Sequence, residues 1–158
     1  LPYKRYVLAV KAATKLNKKL IVFGNGPAHD QLVKLADPTV EFRTDRFGDA
    51  SDAEYEKAIT TARGFIYPAE EDFGIVSVEA LAAGAPVIGL ARGGTTDIVT
   101  SPDIGTLFHH QTVDDVVKAV EIAEQTSFHP SRLARTAKRF DKGLFLTKIK
   151  KVVRDSIS

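Results

Sequence analysis

Short apolar runs alternate with amphipathic stretches along the whole chain. Apolar residues recur at helical spacing from Tyr6 to Leu16, and the apolar run 20–23 that follows is closed by glycines. Helical spacing favours a helix with one buried face, whereas a short run closed by turn residues favours a buried strand. By the same reasoning, the pattern predicts further strands at 40–42, 65–67, 87–90 and 106–108, and further helices at 29–36, 51–62, 76–83, 112–124, 132–139 and 144–157.

Apolar runs of this length between helices are typical of parallel strands that are covered on both faces. The predicted fold class is therefore α/β, with a parallel sheet and helices on both sides. No repeat, low-complexity segment or linker interrupts the pattern, so residues 1–158 are predicted to form one domain. Ligands of such sheets bind outside the carboxyl ends of the strands, and the turns after the strands are the first place to look for a site.

Composition excludes several classes of chemistry. The 158 residues contain no Cys, so a disulfide scaffold, a thiolate nucleophile and a Cys-ligated metal are excluded. The longest stretch without a charged residue, 80–91, contains Gly84 and Pro86 and is too short to be a spanning helix. The chain also lacks Met, even at position 1, which favours a processed or partial chain over a complete translation product.

The charge is small overall and unevenly distributed. With 22 Lys plus Arg against 20 Asp plus Glu, the net charge of +2 gives no support for a nucleic-acid partner. From His129 onward, nine basic residues face two acidic ones, so this part carries +7 and the rest −5. Two interpretations stay open, a solvated helix face and a surface that meets anionic lipid or an acidic partner.

One turn combines three acidic residues with a predicted helix start. Residues 70–72 are Glu-Glu-Asp, and Phe73-Gly74 follows them. A helix that begins near Ile75 would present free N–H groups and its positive dipole end, which suit a phosphate or another anion. Glu79, one turn into that helix, could accept two hydroxyl hydrogen bonds, as the diol of a ribose requires.

Other interpretations of this turn stay open. Glu79 could cap its own helix, and the three acids could form a solvated loop that complements the dipole. A Mg or Ca site is disfavoured, because neither an Asp-x-Asp pair nor a calcium-binding loop accompanies the acids.

Two glycine-containing turns follow other strands. Gly24 and Gly26 could let the backbone approach a ligand closely, and Gly93-Gly94 could line the same crevice, but either turn could equally be a simple connection. The chain has no P-loop, G-x-S-x-G or H-E-x-x-H motif, which sets aside P-loop hydrolysis, lipase-type acyl transfer and zincin chemistry. The four histidines show no metal-ligand spacing.

The segment from Glu71 to Ile88 resembles a known signature. It reads EDFGIVSVEALAAGAPVI and is similar to the E-x-F-G-[IV]-x-x-x-E-A-x-A-x-G-x-P-V-I motif of retaining glycosyltransferases of family four. The resemblance implies the GT-B architecture of two Rossmann-like domains, of which this chain would be the C-terminal, donor-binding one. It also implies a strand before Pro2 and an acceptor domain, neither of which is found in residues 1–158.

The resemblance assigns roles to individual positions. Glu71 would hydrogen-bond hydroxyls of the transferred sugar, Glu79 would hold the ribose diol, and Lys4 would neutralise the diphosphate together with an arginine that would precede Leu1. The other implied donor-binding residues are Gly24, Gly26, Phe73, Gly74 and Ile75, with Asp52 near a position that contacts guanine in some GDP-mannose enzymes. For Asp52, helix capping is the favoured interpretation.

The implied activity is transfer of a hexose from a nucleoside diphosphate sugar with the anomeric configuration kept, and the donor is predicted to be GDP-mannose. No cofactor or metal is expected. The acceptor would be a glycan or lipid-linked glycan bound outside this chain, and the implied location is cytoplasmic, with peripheral contact at an anionic membrane. The alternatives are a non-catalytic nucleotide- or sugar-binding module and another GT-B enzyme, such as a sugar-nucleotide epimerase or a phosphorylase.

Two departures from the family pattern bear on these implications. The segment 43–48 is longer than the usual turn before the base-binding loop, which leaves the base specificity open. Asp97 stands where the family more often has Glu.

Overall fold

The computed structural model describes residues 2–24, 26–43 and 51–157, without the side chains of Pro2, Ser51 and Asp52. The helices α1–α8 are Tyr6–Leu16, His29–Leu35, Ser51–Thr61, Ile75–Ala82, Thr95–Ile98, Val113–Gln125, Pro130–Ala137 and Lys142–Ser156. The strands β1–β5 are Leu20–Phe23, Val40–Arg43, Phe65–Tyr67, Val87–Leu90 and Gly105–Phe108. Two 3-10 turns, Pro2–Lys4 and Lys138–Phe140, complete the regular structure of the described residues.

The end of the chain differs from the predicted boundaries. The helix expected at 132–139 begins at Pro130, whose ring suits the first helical position, and ends at Ala137, where the last turn tightens into the 3-10 turn. Helix α8 begins two residues before the predicted start because the side chain of Asp141 caps it and accepts a hydrogen bond of 2.7 Å from Gly143 N.

The strands form two parallel sheets, one of β1 and β2 and one in the order β3-β4-β5. In the second sheet Ile66 is aligned with Ile88, and Ile88 in turn with Thr106. Within the described residues, β1 and β3 do not pair with each other, so each has one open edge. A further strand before Pro2 stays a prediction.

Strand β4 carries helices on both of its faces. Ile88 and Leu90 belong to a core cluster with residues of α1 and α6, such as Leu8 and Val116. Val87 belongs to a second cluster, which includes residues of α4, α5 and α7. All four residues of β4 are buried. The α/β class and the doubly wound arrangement are thereby confirmed.

No helix among the described residues has both the length and the apolar character needed to span a bilayer.

Candidate functional site

The candidate site lies where β3 and β4 end. The chain leaves β3 at Tyr67, passes through the loop 68–74 and enters α4 at Ile75, as predicted. Gly74, the N-cap residue, has φ of 78°, a left-handed conformation that favours glycine. The first turn of α4 contains no acidic residue, and no side chain caps it. Its free N–H groups and positive dipole end are therefore available to an anion.

A cation meets a carboxylate of the loop that leads into this helix. Nζ of Lys4 lies 2.8 Å from Oε1 of Glu71, and about a quarter of each side chain is exposed. The contact lacks the angle of a regular hydrogen bond at Oε1, so it is chiefly an ion pair. The fold thus brings together the two residues to which the resemblance assigns the diphosphate and the sugar.

The pair holds both residues in their charged forms. The adjacent carboxylate of Glu71 raises the pKa of Lys4 above its usual 10.5, against the opposing effect of burial. Burial raises the pKa of Glu71, but the adjacent Lys4 ammonium and Tyr67 hydroxyl outweigh it and hold this pKa below the usual 4.5. At neutral pH the site therefore contains one ammonium and one carboxylate in contact.

Glu79 is held from another element. It lies on the exposed side of α4, and its Oε2 accepts a hydrogen bond of 3.2 Å from the hydroxyl of Tyr55 in α3. Among the described residues, the hydrogen-bond partner of the Glu79 carboxylate is therefore on α3 and not at the start of its own helix. The ring of Tyr55 meets Phe23, the last residue of β1, edge to face at 5.3 Å. This contact extends the site toward the carboxyl end of β1.

The Gly93-Gly94 turn supports the loop that carries Glu71. Gly94 N donates a hydrogen bond of 2.9 Å to the carbonyl oxygen of Glu71. A Cβ atom on Gly94 would lie 2.5 Å from the carbonyl oxygen of Asp72 and 2.6 Å from Cα of Phe73, which is closer than atoms can approach. Glycine is therefore required at this position by backbone-to-backbone packing, and the turn holds the loop that carries Glu71.

Apolar side chains form the outer edge of the site. Phe73 and Ile75 are 48% and 61% exposed, respectively. The ring of Phe73 meets the ring of Phe140 edge to face at 5.7 Å, and the guanidinium of Arg139 lies 4.7 Å from the Phe140 ring centroid. Arg139 also donates a 2.7 Å hydrogen bond to the carbonyl oxygen of Ile98, at the end of α5. The turn before α8 thus reaches the loop of the site.

The remaining predicted residues have no described contact with this cluster. A Cβ atom on Gly24 or Gly26 would meet nothing within 4 Å, so both glycines border open space. The side chain of Asp52, residue 25 and the segment 44–50 lie outside the described residues. In the part of the chain that is described, no group of three His, Cys, Asp or Glu residues is arranged to hold a metal ion.

Two tyrosines in this site were missed by sequence reasoning. Tyr67 is 2% exposed and packs beneath Gly74, and Tyr55 binds Glu79. Tyr67 could have been found from its place at the end of an apolar strand, four residues before Glu71. Nothing in the local pattern around Tyr55 indicated a partner on α4.

These features define a Rossmann-like α/β domain with an uncapped helix N-terminus and a charged pair at the carboxyl ends of its strands. Residues 1–140 match the family model described as glycosyl transferases group 1. The chain belongs to this family, and its fold is half of a GT-B fold.

Relatives and solved structures agree with this assignment. The chain is 31% identical over 141 residues to the D-inositol 3-phosphate glycosyltransferase of Mycobacterium leprae (strain Br4923), covering 84% of this chain and 33% of that protein. It therefore spans about a third of the length of that relative.

Two solved structures have the same fold. The apo form of the lipopolysaccharide outer core galactosyltransferase WaaB superposes with a TM-score of 0.83 at 16% identity, covering 98% of this chain and 46% of that one. The pneumococcal O-GlcNAc transferase GtfA, in complex with UDP and GlcNAc, has a TM-score of 0.70 at 20% identity, covering 97% of this chain and 33% of that one.

Proposed function

We propose that this chain binds the nucleotide-sugar donor of a retaining hexosyltransferase. The observation that carries the proposal is the contact between Lys4 and Glu71, which lies in the loop that leads into α4. Three groups here suit a nucleoside diphosphate sugar. The Lys4 cation suits the charge of the diphosphate, the Glu71 carboxylate suits the sugar hydroxyls, and the free N–H groups of α4 suit the phosphate oxygens.

Each residue has a defined task in this proposal. Lys4 and the first N–H groups of α4 stabilise the negative charge that develops on the leaving diphosphate, which is the largest electrostatic demand of the reaction. Glu71 accepts hydrogen bonds from sugar hydroxyls and orients the sugar. Glu79 accepts hydrogen bonds from the two hydroxyls of the ribose. Gly24 and Gly26 border open space, in which a ligand can approach the backbone. The exposed Phe73 and Ile75 cover the sugar from outside.

The reaction breaks the bond between the anomeric carbon and the diphosphate oxygen, and the bond electrons leave with the diphosphate. The acceptor hydroxyl oxygen forms the new bond on the same face of the sugar, and its proton is lost to the departing phosphate oxygen. No metal or cofactor is required, because Lys4 and the helix terminus supply the positive charge. We propose GDP-mannose as the donor and a glycan or lipid-linked glycan as the acceptor.

The first test is calorimetric titration of the chain with GDP, UDP and ADP, and then with the matching nucleotide sugars. We expect one nucleotide to bind. The variant Glu79→Ala should weaken it by about 1.5–3 kcal/mol, the contribution of hydrogen bonds to a charged group. Glu56→Ala, an exposed glutamate on α3, is the matched control and should bind as the wild type does. A folded wild type that binds no nucleotide would contradict the proposal.

The same titrations separate the proposal from its alternatives. A non-catalytic module predicts that Glu71→Gln leaves nucleotide-sugar binding unchanged, whereas donor binding predicts a loss for Glu71→Gln and none for Glu70→Gln. An epimerase predicts conversion of the nucleotide sugar without an acceptor. We expect the 158-residue chain alone to give no transfer, because we propose that the acceptor binds in another part of the protein.

We also propose that α8 is the site of peripheral contact with an anionic membrane at its cytoplasmic face. No residue of α8 is buried, and its apolar residues are exposed. At helical spacing, Phe145, Ile149, Val152 and Val153 fall on one side of the helix. Lys148 and Lys150 flank this side, and Lys151 and Arg154 lie opposite it. This arrangement is typical of helices that lie at the surface of an anionic membrane.

We expect the chain to co-sediment with phosphatidylglycerol vesicles but not with phosphatidylcholine vesicles. The double substitution Lys148→Glu with Lys151→Glu should abolish this co-sedimentation. Equal sedimentation with both lipids would overturn the proposal.

A further inference from the structure

Tyr67 occupies a position directly beneath the candidate sugar site. It is the last residue of β3 and is 2% exposed. A Cβ atom on Gly74 would lie 3.1 Å from Cε1 and 3.4 Å from the hydroxyl oxygen of Tyr67. The phenol therefore lies against the N-cap residue of α4, with its hydroxyl at the base of the loop that carries Glu71.

The hydroxyl of Tyr67 has an unusual environment. It is buried, and within the described residues it has no hydrogen bond of regular geometry. Buried hydroxyls nearly always have a partner, and the acceptor that acts on this phenol is the carboxylate of Glu71. Burial and then the adjacent carboxylate of Glu71 raise the pKa of the Tyr67 phenol, which keeps the phenol protonated and able to donate.

Glu71 needs a second partner if Lys4 is to bind a ligand. In the free protein Lys4 lies 2.8 Å from Glu71, and the carboxylate is only about a quarter exposed. When the ammonium turns toward a diphosphate, the carboxylate loses its nearest positive charge in a partly buried site. A carboxylate left without donors in such a place is strongly destabilised. Of the groups that act on Glu71, Tyr67 is buried, whereas Tyr3 is 47% exposed.

We propose that Tyr67 is the positioning residue of Glu71, which donates its hydroxyl to the carboxylate when Lys4 moves to the diphosphate of the donor. The inference rests on the proposed donor-binding function. In the free protein, the Glu71 carboxylate interacts with both Lys4 and the phenol. In the bound state, one carboxylate oxygen accepts a hydrogen bond from the phenol, and the other accepts one from the sugar hydroxyl. Tyr67 thereby sets the orientation in which Glu71 meets the sugar.

The test compares wild type with Tyr67→Phe, which keeps the ring that packs beneath Gly74 and removes only the donor. Equal thermal midpoints establish that the fold is retained. Titration with GDP-mannose and with GDP then separates the sugar from the nucleotide. We expect Tyr67→Phe to lose affinity for GDP-mannose roughly tenfold, as for one hydrogen bond to a charged group, and to bind GDP within about twofold of wild type. Equal losses for both ligands, or none for either, would overturn the inference.

Two further measurements exclude a merely structural role. In a double-mutant cycle, Tyr67→Phe should cost no further affinity for GDP-mannose once Glu71→Gln is present, and additive losses would contradict the proposal. In the ligand-free protein, the Glu71 carboxyl resonance should titrate at higher pH in Tyr67→Phe than in wild type. Lys4, Tyr3 and Tyr6 face the same cluster, and Tyr6→Phe is the matched control, expected to leave the Glu71 titration and the binding of both ligands unchanged.

Failure of the inference and failure of the proposed function give different results. A wild-type chain that binds neither ligand removes the proposed function, and the Glu71 titration then decides alone whether Tyr67 holds the carboxylate. A wild-type chain that binds GDP-mannose, with an unchanged affinity in Tyr67→Phe, removes only the inference.

Discussion

Lys4 and Glu71 form an ion pair of 2.8 Å between the 3-10 turn at the start of the chain and the loop after β3. Because the pair joins segments that are distant in sequence, it stabilises the fold as well as the site. Folding lowers the pKa of Glu71 below 4.5 and raises that of Lys4 above 10.5. The ion pair therefore contributes to the free energy of unfolding at pH values between these two limits.

The first prediction concerns the pH dependence of this contribution. Since the folded pKa of Glu71 is depressed, its stabilisation is present above about pH 4.5 and is lost as the pH falls through the folded value. Glu71→Gln should lower the free energy of unfolding by about 1 kcal/mol near pH 7, with a smaller difference from wild type in acid. Urea denaturation of both proteins at about pH 7 and pH 3.5 measures this. A difference that does not vary with pH would show that the ion pair contributes nothing.

A second prediction follows from the packing of Gly94. A methyl group there would overlap the backbone of Asp72 and Phe73, which cannot yield as a flexible side chain does. Gly94→Ala should lower the free energy of unfolding by about 1–3 kcal/mol, as overpacked positions do, and should weaken nucleotide-sugar binding by displacing Glu71. Gly26→Ala is the control for stability, because its Cβ would meet nothing within 4 Å. Equal stability of the two variants in urea would contradict the packing argument.

A third prediction concerns the hydrogen bond from Tyr55 to Glu79. Tyr55→Phe removes a donor that holds the carboxylate in place, so Glu79 must lose more freedom when a ribose binds. Nucleotide affinity should fall by about 0.5–1.5 kcal/mol, or roughly two- to tenfold. Calorimetry with the nucleotide that wild type binds is the measurement, and Glu56→Gln on the same helix is the control. If Tyr55→Phe binds as tightly as wild type, the bond does not preorganise Glu79.

A fourth prediction concerns the backbone next to Lys4. Arg5, the N-cap residue of α1, has φ of 51°, a left-handed conformation that is unfavourable for residues with a Cβ atom. Arg5→Gly should raise the free energy of unfolding by about 0.5–1 kcal/mol, after the larger freedom of glycine in the unfolded chain is counted. Asn17, with φ of 50°, provides the comparison. Asn17→Gly should gain less, because asparagine tolerates this conformation better. Thermal unfolding measures this difference. A lower midpoint for Arg5→Gly than for wild type would show that the left-handed conformation of Arg5 is not strained.

Local features of the sequence predicted most of the architecture. The strands were found because their apolar runs are bounded by turn residues, and β4 lies at its predicted place. Helix α4 begins at Ile75, directly after the Phe73-Gly74 turn as predicted, and the structure shows that Gly74 supplies a left-handed N-cap. Errors occurred where an end is set by capping, as at α8, whose first turn depends on the Asp141 side chain.

The α/β class, the candidate turn after β3 and the membership of a glycosyltransferase family could all be predicted from the order of residues along the chain, because they depend on local periodicity and on one contiguous motif. The partners of the candidate site residues became known from the folded structure. Glu71 pairs with Lys4, Glu79 with Tyr55, and Tyr67 lies beneath Gly74. These contacts join residues from separate elements, and their formation depends on how the helices and strands pack, which no local pattern records.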